Sequence, residues 1–398
     1  MIERLERNLR LIQWHELLVR TNPWIAVFVL FTRSNFDLDG AIRLAGIYYL
    51  FVVVFEVPSG WMSDRLGRVP TLRIAAASWM VCHTCFILGA NSFTVVAAGQ
   101  AFLALGYASL SGTDVTFHFD TLEALERPNE FGDRQATITS RGLVVAGIGA
   151  LVGGAVGLAD LRLAFAASLG LAIAQLVVAM AFTEPPHVGA APGLLRQVGE
   201  CLSYLRRAPL AWIFGYGIAM VVLEHVAFTL LQPWLTEALH RTPDQLGRTP
   251  LLSGALVAVV SVVGAFFARS SVRMSRAFGL RTTLIGLGAL SALIVTTMAA
   301  TTSILVVIVI AFRSAQGSAA PVLISAAAAP QLQQRHRATF LSLDSLGGRL
   351  SYGTILLFVA TDIGNDVSAG LVRLSTISWI LVLLTLVSAI AIGTRGGT

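Results

Sequence analysis

The residues able to do chemistry in this chain are ionisable side chains set within apolar sequence. They are Glu16, Arg20, Glu56, Asp114, His118, Asp120, Arg141, Glu224, His225, Asp344 and Arg349. A charge at the centre of a bilayer costs about 2.5–3.5 kcal/mol on insertion scales, so a chain keeps one there for a partner or a task. Glu16 and Arg20 are spaced i,i+4 and share a helix face. There they can neutralise each other, or line a cavity in which Arg20 meets an anionic substrate or a carboxylate of another helix. Asp114 and His118 have the same spacing. Histidine titrates near neutral pH and a neighbouring carboxylate favours its charged form, so this pair could carry a proton or serve the inner interface. Glu224 and His225 are adjacent and point about 100° apart on a helix. Only one can face a cavity squarely, and Glu224 is the candidate protonatable acid. Asp120 and Arg141 are assigned to the inner interface, and Asp344 and Arg349 are expected to compensate Asp64 where two halves meet.

Enzymatic and metal chemistry find no constellation. His15-Glu16 lacks the second His of H-E-x-x-H, there is no G-x-S-x-G, and Ser111-Gly112 lacks the preceding Gly of an intramembrane serine protease. Cys82 and Cys85 form C-H-T-C with no second Cys/His pair at zinc spacing, and Cys201 lies in a polar segment. No metal, cofactor or disulfide framework is expected. Trp14, Trp24, Tyr48, Tyr216 and Trp234 are aromatics that could stack on an organic substrate or sit at a membrane interface.

These side chains need elements to hold them. The 398 residues are 55% hydrophobic and 13% charged, about half the charge density of a soluble domain. That excludes a cytosolic enzyme, a nucleic-acid binder and a disordered scaffold, and it points to a polytopic membrane protein in a lipid bilayer. All 28 basic residues are Arg. Twelve apolar runs read as spanning helices: 11–33, 41–63, 72–90, 93–120, 136–157, 161–183, 210–236, 249–271, 281–300, 302–327, 338–360 and 369–392. The first and eleventh are the least apolar. With both termini inside, inner segments collect most of the Arg. The outer loops hold Arg33, Arg43, Arg162, Arg241, Arg248 and Arg373.

The longest polar connection, 184–209, opens with helix breakers. Leu194, Leu195, Val198, Leu202 and Leu205 then recur at helical spacing opposite Arg196, Glu200 and Arg206, as in an amphipathic surface helix. It separates two six-span units, 1–183 and 210–398. An internal repeat supports the division: Met62, Ser63 and Gly67 recur as Met274, Ser275 and Gly279, each set following the second span of its half.

Gly60-Trp-Met-Ser-Asp64-Arg65-Leu-Gly67-Arg68 lies between spans two and three. This G-x-x-x-D-R-x-G-R pattern resembles the signature loop of the major facilitator superfamily, with Val69 where a final basic residue is usual. Gly60 allows close helix approach, and Asp64 can accept N–H groups of a neighbouring helix N-terminus. Arg65 and Arg68 can bridge to acids of adjacent helices. The resemblance implies that Gly60, Asp64, Arg65, Gly67 and Arg68 latch two halves in an outward-facing state. Glu56-Val-Pro-Ser-Gly60 and the end of span four, Ser111 to Leu122, look like a bacterial subgroup of drug or metabolite exporters, with Phe119 where that run has Tyr. The antiporter signature of span five is partial: in Gly149-Ala-Leu-Val-Gly153-Gly154, Ala150 stands at the Pro position, and span four has Phe102 near the usual Arg.

The expectation is an all-α membrane protein of two six-helix bundles. It would be a monomer in a bacterial inner membrane that exports a small-molecule substrate in exchange for protons. An importer or facilitator of a metabolite on the same fold is the rival reading, and an intramembrane enzyme is a remote one.

Overall fold

Proline and glycine set the breaks in this chain. In the computed structural model the described residues are 1–36, 38–89, 91–186, 192–229, 250–301, 303, 306–363 and 367–395, and among them the regular structure is all helical. Span one is two helices, α1 (Ile2–Arg20) and α2 (Phe28–Asn35). Pro23 pushes Asn22 out of helical geometry, to φ −122° and ψ 80°. The Thr21 hydroxyl and the Asn22 amide donate to the carbonyls of Leu17 and Val19, which satisfies the frayed end. Spans two and three are α3 (Leu38–Leu66) and α4 (Arg68–Leu88), joined through Gly67 at φ +110°. Span four breaks into α5 (Phe93–Leu110) and α6 (Thr113–Ala124) at Gly112, which is left-handed at φ +72°. Spans five and six are α7 (Phe131–Gly157) and α8 (Leu161–Met180).

The linker helix α9 (Leu194–Ser203) leads into α10 (Ala208–Thr229), then α11 (Pro250–Phe278) and α12 (Leu280–Ala300). Span ten comprises α13 (Val306–Ile310) and α14 (Ser314–Ala328). α15 (Arg337–Ile363) and α16 (Val367–Arg395) complete the chain. Gly279, at φ +83°, joins α11 to α12 as Gly67 joins α3 to α4, so the sequence repeat is also a conformational one.

Within the described residues each of the twelve expected spans falls on mainly helical chain. Nine described helices are long and apolar enough to cross a bilayer. α10 makes a tenth when taken with the linker helix, the two being bent by 110°. Spans one and eleven are not among them: the first is interrupted at Pro23, and the eleventh carries Asp344 and Arg349. The end of span seven, Trp234, the side chain of His225, and Arg241 and Arg248 lie outside the described residues.

Each bundle has its own apolar core. In the first half Phe31, Phe86 and Phe165 pack together, with the Phe86 and Phe165 rings stacked at 4.9 Å. In the second, Trp212, Tyr216, Leu323 and Phe340 form the corresponding centre. Trp24 and Tyr216 belong to these cores rather than to a cavity.

The halves meet along two seams built from small residues. A Cβ at Gly60 would lie 2.9 Å from Ser342 Cβ, and one at Gly112 would lie 3.0 Å from Leu341 Cβ, so α15 packs directly on α3 and on the span-four break. On the other seam α7 runs beside α11. Gly153 receives the Pro23 carbonyl, while its neighbour Gly154 faces the backbone of Pro250 and Leu251. The span-five glycines therefore serve two contacts at once, one within their bundle and one across to the other.

Candidate functional site

Asp64 ends α3 beside the first turn of α15. Its Oδ1 accepts from Arg68 Nη1 at 2.5 Å and from Ala338 N at 3.2 Å; its Oδ2 accepts from Thr339 N at 2.8 Å and Thr339 Oγ1 at 2.6 Å. A carboxylate thus caps a helix N-terminus of the opposite bundle, where both free N–H groups and the helix dipole favour negative charge. Arg68 continues the network. Its Nε donates to Asp120 Oδ2 at 3.1 Å, and its Nη2 donates to the Gln334 carbonyl at 2.7 Å. Asp120 in turn accepts from Arg337 Nη1 at 2.5 Å, and Arg337 also holds Glu123 through two bonds of 2.7 and 2.9 Å. Asp64, Arg68, Asp120 and Arg337 are all buried and alternate in sign across the boundary between the halves.

Glycine is required at 67 because of what sits beside it. Glu184 accepts from Arg68 N at 2.6 Å and Val69 N at 2.8 Å, capping α4, and a Cβ at Gly67 would lie 2.9 Å from that carboxyl. The linker adds a third layer. Gln197 is fully buried and donates to Asp64 Oδ2 at 3.3 Å and to the Arg335 carbonyl. His336 Nε2 lies 3.0 Å from Glu200, and Tyr204 Oη lies 2.9 Å from His336 Nδ1. The Arg196 guanidinium beside Glu200, and then His336, hold its carboxyl below the usual range. Its part in docking is present at neutral pH and is lost as pH falls through that lowered value. The protein-facing stripe of α9 is thus Gln197 and Cys201, whereas Leu195 is 88% exposed.

Arg65 is not in this network. It stacks over Trp61 at 5.1 Å, and Trp61 Nε1 donates to the Pro192 carbonyl at 2.7 Å. The two arginines sit three residues apart on either side of Gly67, and only Arg68 turns inward.

At membrane depth the charges sort into separate clusters. Glu16 is 3% exposed and lies 3.6 Å from Arg20, which is the expected i,i+4 pairing. Its other neighbours are His15 at 4.0 Å and the carboxylate of Asp114. Among the described residues neither Glu16 oxygen has a hydrogen-bond donor. Asp114 therefore does not pair with His118. It takes the N–H of Val115 and turns to Glu16, whereas His118 lies 2.8 Å from Gln135 Oε1 and packs on Phe131. Arg141 does not join the inner interface; it donates to Gln13 at 3.1 Å within its own bundle.

Asp344 and Arg349 do not compensate Asp64, whose charge is met by Arg68 and the cap of α15. The Asp344 carboxylate sits against Gly217 of α10. Arg349 crosses to the other bundle, 3.8 Å from fully buried Glu56, which also accepts from Ser111 Oγ at 2.6 Å. Glu224 packs on Gly317 of α14 with Arg313 as its cationic neighbour. Arg337, Glu123, Glu184, Gln197 and Arg313 are the participants that spacing alone did not single out. The run Arg335-His336-Arg337 reads as ordinary inner-side positive charge. Among the described residues no group of three His, Cys, Asp or Glu side chains is placed to hold a metal ion.

The arrangement joins two bundles at one end by a breakable polar contact and leaves ionisable groups between them. A family model described as Major Facilitator Superfamily matches residues 17–353. No curated protein sequence matches the chain. Among solved structures it resembles the E. coli fucose:proton symporter, with a TM-score of 0.70 at 13% identity over 96% of this chain and 98% of that one. It also resembles a bacterial homologue of the iron transporter ferroportin in an outward-facing state, with a TM-score of 0.73 at 16% identity over 97% and 99%. The two-bundle helical fold and a family match over most of the sequence lead to one assignment: the chain belongs to the Major Facilitator Superfamily, whose members are membrane transporters and not enzymes.

Proposed function

We propose that this protein is a proton-coupled secondary transporter that exports a small organic compound, a drug or metabolite, from a bacterial cell. On this reading it is a monomer of the inner membrane with both termini in the cytoplasm. Residues 1–183 and 210–398 rock as units about a central site, with 184–209 as the tether. The efflux direction follows the resemblance of span four to bacterial exporters.

The observation that carries the reading is the acid pair Glu16 and Asp114. Buried Glu16 has the Asp114 carboxylate beside it, and among the described residues neither oxygen of Glu16 has a donor. Like charges in contact cannot both ionise cheaply, so a proton held between them is the natural filling. Arg20, 3.6 Å away, then responds to whether that proton is present. The inner latch through Asp64 and Arg68 must open for the proton and substrate to exchange with the cytoplasm.

Transport measured as a function of pH tests this. Glu16→Gln and Asp114→Asn are expected to slow proton-coupled transport and flatten its pH dependence. Glu224→Gln, whose neighbour is Arg313, serves as the comparison. Wild-type rate and pH dependence in both acid-pair variants would remove the pair from the mechanism.

A second reading, uptake together with protons, is favoured by the position of Arg20. Neutralising Glu16 would release this cation for a negatively charged substrate. The fucose:proton symporter among the similar folds works in that sense by its description.

A further inference from the structure

The charges between the bundles are layered. The carboxylates are buried and the guanidinium groups reach outward from them. Glu16 is 3% exposed against 33% for Arg20, and Glu56 is 0% exposed against 26% for Arg349. Arg141 is exposed and donates to the neutral Gln13. The separations of 3.6 Å and 3.8 Å are longer than a hydrogen bond, so both arginines keep donors for another acceptor. Arg20 and Arg349 come from opposite bundles and flank the break at Gly112: Asp114, beside Glu16, and Ser111, bonded to Glu56, lie on its two sides, and Tyr48 lies beside Arg349.

We infer that the transported substrate is a small organic carboxylate, gripped between Arg20 and Arg349 with the Tyr48 hydroxyl alongside. The sign of the reachable groups supports this class: in each pair the guanidinium keeps free donors while the carboxylate lies buried behind it. An organic cation would instead meet the guanidinium layer first. A planar carboxylate matches the fork of an arginine donor, and an aromatic side chain beside it suits an apolar substrate body.

The inference rests on the second of the two readings, uptake together with protons, because proton and anion then bind together rather than compete. The groups that face Glu16 are His15 and Arg20 on α1 and Asp114 on α6. From α8, Gln175 faces His15, and from α7, Arg141 faces Gln13.

The test is equilibrium binding to the full-length protein in lipid nanodiscs, read by calorimetry. The probes are benzoate, aliphatic monocarboxylates, and the ammonium and alcohol analogues of the same skeletons. Carboxylates should bind and their analogues should not. Arg349→Gln and Arg20→Gln should weaken carboxylate binding about tenfold or more, with Arg349→Lys between. Arg141→Gln, which removes a charge held by Gln13 apart from these two arginines, should leave it unchanged. Carboxylate affinity should fall as pH rises, and Glu16→Gln should keep binding while losing that pH dependence. Binding of the ammonium probes in place of the carboxylates overturns the inference. So does a lack of carboxylate binding across the panel, or affinity unchanged in the Arg20 and Arg349 variants. Carboxylate binding with no pH dependence in the wild type leaves this inference standing and removes the proton-coupled reading.

Discussion

At the scale of single residues, the most exposed consequence concerns Asp64. It accepts from Arg68, from two backbone N–H groups of α15 and from Thr339. Removing one partner of a buried ion pair leaves an uncompensated charge and costs about 3–5 kcal/mol. In a transporter that cost falls on the latched state alone, because opening hydrates the same groups. Asp64→Asn is therefore expected to favour inner opening by about a hundredfold to several thousandfold. Spin labels at exposed Leu66 and half-buried Arg335 should report a longer distance. An unchanged distance distribution would show that the network does not hold the halves. The type and spacing of Asp64, Gly67 and Arg68 were legible from sequence, and so was the Glu16–Arg20 pairing within one helix. The partners across the molecule were not. Asp120 meets Arg337 from 217 residues away, and local spacing favours His118 for Asp114 until α1 brings Glu16 to it. Arg65 and Arg68 look equivalent as letters, and the positive φ of Gly67 separates their directions.

At the scale of elements, breaks matter more than spans. Gly112 lets span four bend where α15 crosses it. A non-glycine residue there adopts left-handed geometry at a cost of about 1–2 kcal/mol, before the Cβ contact at 3.0 Å with Leu341 is counted. Gly112→Ala should lower the thermal midpoint of the purified protein by several degrees, and an unchanged midpoint would mean that α15 is not seated on this turn. The linker helix makes a second prediction. Its periodicity announced an amphipathic helix, and the apolar stripe drew attention away from Gln197 and Cys201, which face the protein. Burial pushes the Cys201 thiol up, so it should react slowly with maleimides in the latched state. Gln197→Ala removes donors to Asp64 and the Arg335 carbonyl and should speed Cys201 labelling in a Cys82→Ser, Cys85→Ser background. Labelling at the wild-type rate would make the linker a passive tether.

At the scale of the whole molecule, the two halves repeat a geometry without repeating its charges. Gly67 and Gly279 turn equivalent loops, yet Arg276 stands where the repeat places Asp64. Arg276 reaches Asp133 at the start of α7 at 2.5 Å, so each loop contacts the opposite bundle with opposite sign. Composition and periodicity made the two-bundle plan readable, because a bilayer leaves few ways to satisfy a helical backbone. Which charges face one another depends on helix rotation and on breaks such as Pro23, and these emerge only with packing. The central claim is that Glu16 and Asp114 carry a proton whose movement is tied to substrate. The direct measurement uses proteoliposomes with an entrapped pH dye and an imposed gradient of a bound organic carboxylate. The account predicts a protein-dependent pH change that is lost in Glu16→Gln and Asp114→Asn while carboxylate binding persists. Its sign separates exchange from co-transport. Carboxylate flux with no pH change, or a pH change undiminished in both variants, would contradict it.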